Sequence, residues 1–184
     1  ASIGLAKYLE WNYRESADGL NCLELGCGTG LVSMVMASIG ANVIATDIPE
    51  CIGNHTSPNF DNNRTALHEQ GFGLTGSLEA RELIWGSTPL DSFGTPWDLV
   101  VASDVIYRSE HVALLLATLK SLIAPKTICY VAFDRRGREG IETFLRSVRD
   151  EGSSLSLREV TSDEMPVGFR FSQLGIVELR QKEL

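Results

Sequence analysis

Residues 23–30 read LELGCGTG, and an apolar segment that begins at Leu31 follows them directly. Three glycines, Gly26, Gly28 and Gly30, therefore alternate with other residues at the end of an apolar run. Glycine loses more conformational freedom on folding than any other residue, so a loop this rich in it needs unusual torsion angles or close contact with a ligand. We expect a strand before this loop and a helix after it.

Asp47, the acid that follows the next apolar run, indicates the class of ligand. Asp47 follows Gly26 by about 20 residues, the spacing of an acid that accepts hydrogen bonds from ribose hydroxyls in a βαβ unit. A dinucleotide loop reads GxGxxG, whereas this loop reads GxGxG and has Leu31 where the last glycine would be. A P-loop is excluded because no Gly-Lys-Ser/Thr follows. The pattern predicts a nucleoside ligand without a pyrophosphate.

A second acid, Glu24, stands beside the loop. A carboxylate there would repel a pyrophosphate but would favour a cation or an ammonium group. S-adenosylmethionine carries a sulfonium, an ammonium group and a ribose and has no phosphate, so we predict that it is the cofactor and that S-adenosylhomocysteine is the product. A dinucleotide and a purely structural turn are the alternatives. The predicted cofactor-binding residues of this unit are Glu24, Gly26, Gly28, Gly30, Asp47 and Ile48.

Three motifs together resemble a known family. The stretch ELGCGTGL, the acid of ATDIPE and the later WDLVVASDVIY are similar to those of class I, seven-β-strand methyltransferases, and more narrowly to the protein-lysine methyltransferases of methyltransferase family 16. The motifs occur in order over residues 3–180. This resemblance implies methyl transfer from S-adenosylmethionine to a lysine of a protein substrate. The glycine loop alone would mark only class I, so the narrower assignment depends on the later motifs.

The motif Asp104-Val105-Ile106-Tyr107 carries the prediction about catalysis. Loops at the carboxyl ends of parallel strands face the ligand crevice, and the family has Asp/Glu-x-x-Tyr/Phe at this point. We predict that Asp104 orients the acceptor amine or helps its proton leave, and that Tyr107 forms one wall of the lysine channel. The alternative is that Asp104 caps a helix and Tyr107 packs in the core.

Two further residues complete the predicted cofactor site. The resemblance implies that Trp85 packs near the adenine, and the alternative is an ordinary core tryptophan. Ser103, which precedes Asp104, would line the site through its backbone.

Strand-like and helix-like segments alternate along the chain and predict an α/β fold. We expect a Rossmann-like, seven-stranded, mostly parallel sheet with helices on both faces and an antiparallel closing strand, in a single domain over residues 1–184. We expect an irregular helix over residues 50–64 and a loop over 68–77. The predicted strands are 19–25, 41–46, 79–85, 97–103, 127–133, 155–160 and 175–180, and the predicted helices are 1–15, 31–39, 110–124 and 140–151.

Charge and composition limit the classes of partner that we expect. The net charge is −8, and the densest basic stretch is only RRGR at 135–138, so we expect no nucleic-acid partner. No apolar run reaches the roughly 18 residues of a membrane span, so we expect no membrane partner. The four cysteines form no metal or disulfide pattern and the histidines have no ligand-like spacing, so we predict no metal. We expect a monomer in the cytoplasm, with the nucleus as the alternative compartment.

Two alternatives to a protein-lysine methyltransferase remain open. The same scaffold hosts small-molecule N- or O-methyltransferases, and it can also serve as a non-catalytic binding module. The chain begins with Ala1 rather than Met, so we expect that upstream sequence has been trimmed. The family carries a tryptophan-containing segment in that region, and without it we expect weaker binding of the cofactor.

Overall fold

The computed structural model of the chain describes residues 1–69, 73–94, 96–136 and 139–182. Arg138 of the basic stretch therefore lies outside the described residues.

A single sheet forms the centre of the described chain. Its strand order is β3-β2-β1-β4-β5-β7-β6. Pairing is parallel from β3 through to β5, whereas β7 pairs antiparallel with both β5 and β6. The predicted mostly parallel sheet with a reversed closing strand is thus confirmed. The strands are β1 Asn21–Leu25, β2 Asn42–Asp47, β3 Leu78–Glu82, β4 Leu99–Ser103, β5 Ile128–Asp134, β6 Leu155–Glu159 and β7 Leu174–Gln181.

Helices lie between the strands in the sequence. None of those in the described ranges is both long and apolar enough to cross a bilayer. The helices are α1 Ser2–Tyr13, α2 Leu31–Ser38, α3 Pro49–Cys51, α4 Ser57–Glu69, α5 Ser109–Leu122 and α6 Glu139–Arg149, and a π turn, Ile52–Thr56, joins α3 to α4.

The core is divided between the two faces of the sheet. Leu9 of α1 and Met36 of α2 are buried in one apolar cluster, while Leu115 of α5 and Phe144 of α6 are buried in another. Both clusters draw residues from β4, whose five residues are all buried. A strand covered on both faces is apolar throughout rather than alternating, which explains the continuous run LVVAS. Helices therefore cover both faces, as predicted.

The third strand is shorter than the sequence suggested. Its apolar pattern predicted a strand ending at Trp85, but β3 ends at Glu82. The neighbouring strand β2 ends at Asp47, and the last bond to it is one of 2.8 Å from the Leu83 amide to the Asp47 carbonyl. Beyond Leu83, β3 therefore has no partner residues in β2. Beyond Leu83 the chain turns, and the Ile84 carbonyl accepts bonds from two residues of that turn. Trp85 therefore lies in a loop rather than at the end of a strand.

The segment after β2 is more helical than expected. The predicted irregular helix over 50–64 is confirmed, since the segment is helical and a π turn interrupts it. The predicted loop over 68–77 is wrong at its start because α4 continues to Glu69, and residues 70–72 lie outside the described chain.

Removing a large core side chain tests this packing. Phe144 is 0% exposed and belongs to the cluster beneath α5 and α6. We expect Phe144→Ala to lower the free energy of unfolding by about 3–5 kcal/mol, because the cavity left behind collapses only partly. The matched control is Phe171→Ala, where the ring is 47% exposed, and we expect a loss below about 1 kcal/mol there. Urea unfolding measures both, and equal losses would contradict the assignment of Phe144 to the core.

Candidate functional site

A cavity of about 590 Å³ lies where the loops that follow β1, β2, β3 and β4 meet. Parallel strands place their carboxyl ends at one edge of the sheet, so residues distant in the sequence converge there. The predicted site residues that line the cavity are Glu24, Gly26, Gly28, Asp47, Ile48, Trp85, Ser103, Asp104 and Tyr107.

Gly30 is the predicted residue that does not line the cavity. It precedes α2 with φ 79°, a left-handed conformation. A Cβ atom there would lie 2.1 Å from a ring carbon of Phe60, so only glycine fits at this position.

The glycine loop passes close to neighbouring side chains. Gly26 has φ 65°, and a Cβ atom on it would lie 2.6 Å from Val105 and 3.6 Å from Trp85. Gly28 has φ 55°, and no atom lies within 4 Å of the equivalent position. Gly26 is thus restricted by both its torsion angle and its neighbours, whereas Gly28 is restricted by its torsion angle.

Asp47 binds the glycine loop. Its Oδ2 atom accepts a bond of 2.8 Å from the Gly28 amide, and its Oδ1 atom accepts one of the same length from the Ile48 amide. Each carboxylate oxygen can accept a further bond, so both remain able to accept from ligand hydroxyls. The sequence predicted that Asp47 accepts bonds from ligand hydroxyls. It did not predict that Asp47 also binds the backbone of the glycine loop.

Glu24 lies beneath the loop and is 1% exposed. Its Oε2 atom accepts bonds from the Ser33 amide at 2.9 Å and from the Ser33 hydroxyl at 2.5 Å. Burial raises the pKa of Glu24 to about 7, the nearby Asp47 carboxylate adds to this rise, and the two bonds from Ser33 oppose it. This carboxyl group therefore changes its charge near neutral pH while lining the cavity.

Asp104 and Tyr107 lie at another side of the cavity, after β4. Asp104 has φ 55° and is the one non-glycine residue with a positive φ in the described ranges. Such a conformation costs energy in a residue other than glycine, although Asp tolerates it better than most, and strained residues cluster at functional sites. Its amide donates to the Ala132 carbonyl at 2.9 Å, and its carboxylate lies against the backbone nitrogen of Ala1.

The alternative for this motif, a helix cap and a core tyrosine, is not what the structure has. The residue that precedes α5 is Arg108 rather than Asp104. Tyr107 is 59% exposed and stands at the mouth of the cavity.

The Trp85 ring packs against the core beneath α5 and also lines the cavity. Its contact with the adenine stays a prediction. Ser103 is buried, and its hydroxyl lies 2.8 Å from that of Ser2 at the start of α1.

Several lining residues were not predicted. Leu83 and Ile84 adjoin Trp85 and could have been found from that motif. Ser2 and Leu114 come from α1 and α5, and no local sequence signal shows that these helices reach the cavity. The lining residues missed are Ser2, Cys27, Thr29, Leu31, Val32, Leu83, Ile84, Val105, His111 and Leu114.

A family model described as "Lysine methyltransferase" matches residues 1–151. A mouse protein named EEF1A lysine methyltransferase 3 is 30% identical over 165 residues, which are 89% of this chain and 66% of that protein. A zebrafish (Danio rerio) protein named Protein N-lysine methyltransferase METTL21A is 31% identical and covers 89% of this chain and 69% of its own. A cattle (Bos taurus) protein named Protein-lysine methyltransferase METTL21E is 31% identical over 70% of this chain and 43% of its own. The chain thus spans between about two fifths and two thirds of the length of these relatives.

Solved structures share the fold. The magnesium protoporphyrin IX methyltransferase of Synechocystis with bound SAM superposes with a TM-score of 0.63 at 20% identity, over 98% of this chain and 79% of that one. The ribosomal protein L11 methylase of Lactobacillus delbrueckii gives 0.59 at 17% identity, over 99% of this chain and 79% of that one. At these identities the likeness concerns the fold.

The buried carboxyl of Glu24 predicts a pH dependence of stability. In the unfolded chain Glu24 has the ordinary pKa of 4.5, whereas in the folded protein its pKa is about 7. Between these two pH values the unfolded chain loses the Glu24 proton while the folded protein keeps it. The free energy of unfolding therefore falls as the pH rises from 4.5 to about 7. The full cost above pH 7 is about 3 kcal/mol. We expect Glu24→Gln, which keeps an acceptor for Ser33, to remove this loss and to be more stable than the wild type at pH 8. Urea unfolding between pH 5 and pH 8 measures it. Glu79→Gln, at an exposed carboxylate paired with Arg81, is the control and should keep the wild-type slope.

The glycine loop predicts a difference between two alanine variants. Gly26→Ala and Gly28→Ala both place a side chain at positive φ, but only the first also meets Val105. We expect Gly26→Ala to be less stable than Gly28→Ala by about 1–3 kcal/mol, the cost of overpacking. Thermal or urea unfolding compares them, and equal stability would show that Val105 moves aside without cost.

Proposed function

The chain belongs to the lysine methyltransferase family, and from this membership we propose that it transfers a methyl group from S-adenosylmethionine to a lysine ε-amine of another protein. The observation that carries the proposal is the cavity, which joins the glycine loop, Asp47 and the motif Asp104–Tyr107 in one space. The names of the mouse and zebrafish relatives support a lysine of a protein as the acceptor. We further propose that the whole chain forms one methyltransferase domain.

The residues of the cavity fit this donor. When bound, S-adenosylmethionine supplies an electrophilic methyl group on a sulfonium. The Asp47 carboxylate would accept bonds from the ribose hydroxyls, and the positive φ of Gly28 lets the backbone approach the ligand closely. Trp85 and Ile48 offer apolar surface for the adenine. The Glu24 carboxylate would favour the positive charge of the ligand.

Asp104 and Tyr107 would prepare the acceptor. A lysine amine reacts only when neutral, although its ordinary pKa is about 10.4. The Tyr107 ring would desolvate the amine once the acceptor is bound and so favour its neutral form. The Asp104 carboxylate would orient the amine or help its proton leave. Holding the nitrogen in line with the methyl group would contribute much of the acceleration. Tyr107 is reachable from solvent, which suits an acceptor presented by another protein.

We propose a monomer whose partner is a protein rather than nucleic acid or a membrane. The net charge of −8 favours a basic protein surface. The four cysteines are free thiols, which suits a reducing compartment such as the cytoplasm, with the nucleus as the alternative.

Calorimetry with S-adenosylhomocysteine tests the donor half of the proposal. We expect the full-length protein, with any sequence upstream of Ala1, to bind one equivalent, and absence of binding would contradict the proposal. Incubating the protein and labelled donor with a cell lysate, followed by mass spectrometry, tests the acceptor half. Methyl groups on protein lysines would support it, whereas label in small molecules alone would favour the small-molecule alternative.

Variants separate the roles of the cavity residues. We expect Asp47→Asn to weaken binding of S-adenosylhomocysteine about tenfold or more, since hydrogen bonds to a charged group are worth about 1.5–3 kcal/mol. We expect Asp104→Ala and Tyr107→Ala, which removes the ring, to lower kcat at least tenfold and to leave this binding within about threefold of the wild type. Asp91→Asn, at an exposed acid away from the cavity, is the control and should change neither quantity. Full activity in both Asp104→Ala and Tyr107→Ala would overturn their assigned roles.

A further inference from the structure

The helical segment after β2 contains a π turn, Ile52–Thr56. The Ser57 amide bonds to the Ile52 carbonyl, five residues back. Such turns insert one extra residue into a helix, are rare, and occur frequently at functional sites. The extra residue rotates everything that follows it about the helix axis, so it changes which side chains face the sheet.

The residues brought inward by this rotation contact the glycine loop. Thr56, Asn59 and Phe60 have the i, i+3, i+4 spacing of one helix face. The Thr56 hydroxyl donates to the Gly28 carbonyl at 2.6 Å, and the Asn59 amide group donates to the Thr29 carbonyl at 2.6 Å.

Phe60 makes the third contact, because its ring occupies the space that a side chain at Gly30 would need. Each of three consecutive loop residues is therefore held by one side chain of this face. We call Thr56, Asn59 and Phe60 the loop clamp.

Thr56 is the buried polar member of the loop clamp. It is 0% exposed, and its hydroxyl also lies 3.6 Å from the Cys27 sulfur. The peptide groups of Gly28 are thus held on both sides, since its amide donates to Asp47 and its carbonyl accepts from Thr56. Thr56 itself does not line the cavity, whereas Gly28 and Asp47 do.

We propose that Thr56 is a positioning residue for donor binding, which acts through the Gly28 carbonyl and holds the glycine loop in the orientation that the Asp47 carboxylate requires. This inference rests on the proposed function, because it takes the cavity to be the site of S-adenosylmethionine. A loop held in advance loses less freedom when the ligand binds, so its affinity is higher.

Removing the hydroxyl alone tests the inference. Thr56→Val keeps the shape of the side chain and removes this donor from the half-buried Gly28 carbonyl, which retains the weaker Cys51 thiol donor, 3.7 Å away. We expect the Kd of S-adenosylhomocysteine, measured by calorimetry, to rise about fivefold to tenfold. Thr56→Ser keeps the hydroxyl and should stay within about twofold of the wild type. Thr65→Val is the matched control, since that hydroxyl bonds to the Asp61 carbonyl on the exposed side of α4 and should be dispensable.

Kinetics distinguish positioning from simple structural support. We expect Thr56→Val to raise the KM for S-adenosylmethionine by the same factor as the Kd while kcat stays near the wild-type value. A purely structural role would lower the fraction of active protein and leave Kd unchanged, which would overturn the proposal. If Thr56→Val does not fold, the comparison passes to Thr56→Ser and Thr56→Ala, which differ only in the hydroxyl, and equal Kd values for these two would overturn it.

Hydrogen exchange gives a readout that needs no ligand. In the free protein we expect the Gly28 amide to exchange faster in Thr56→Val than in the wild type, because its bond to Asp47 depends on the loop orientation. Unchanged exchange would overturn the proposal. If the wild type failed to bind S-adenosylhomocysteine, the proposed function would fail, while faster exchange in Thr56→Val would still show that Thr56 holds the loop.

Discussion

The hydrogen bond between the Gly28 amide and the Asp47 carboxylate joins the loop after β1 to the end of β2, and the cavity depends on this junction. It requires the parallel register in which Leu25 pairs with Thr46, and the Cys27 amide extends that ladder by bonding to the Thr46 carbonyl. A slip of two residues would move Asp47 about 7 Å along the strand. The register of the buried strands therefore decides whether the loop and the acid can act on the same ligand.

The cavity and the helical segment beside it contain features that disfavour folding. Glu24 is buried with a pKa near 7, and Asp104 has a left-handed backbone. A π turn interrupts the helix beside the loop. Each feature has a stability cost, and the two apolar clusters on the faces of the sheet offset it. Strain and buried charge at one edge of a well-packed sheet are typical of a site arranged for ligand chemistry rather than for stability.

Much of the architecture was predictable because buried parallel strands have a clear sequence signal. The run LVVAS and the acid that ends β2 both occur where the sequence placed them. The end of β3 was not predictable, because it depends on where the neighbouring strand β2 stops. The π turn was not predictable either, since its sequence Ile-Gly-Asn-His-Thr favours no regular helix. The turn is held by a contact between Thr56 and Gly28, which lies 28 residues earlier in the chain.

The sequence by itself determined the glycine loop, the two acids Glu24 and Asp47, the motif Asp104–Tyr107 and the alternation of strands and helices, because these are local patterns with fixed spacing. The tertiary structure decided which of these residues share one cavity, which backbone groups the Asp47 carboxylate binds, and how far Glu24 is removed from water. Those properties depend on distances between segments far apart in the chain. Burial and hydrogen-bond geometry arise only when the strands pair and the helices pack on them.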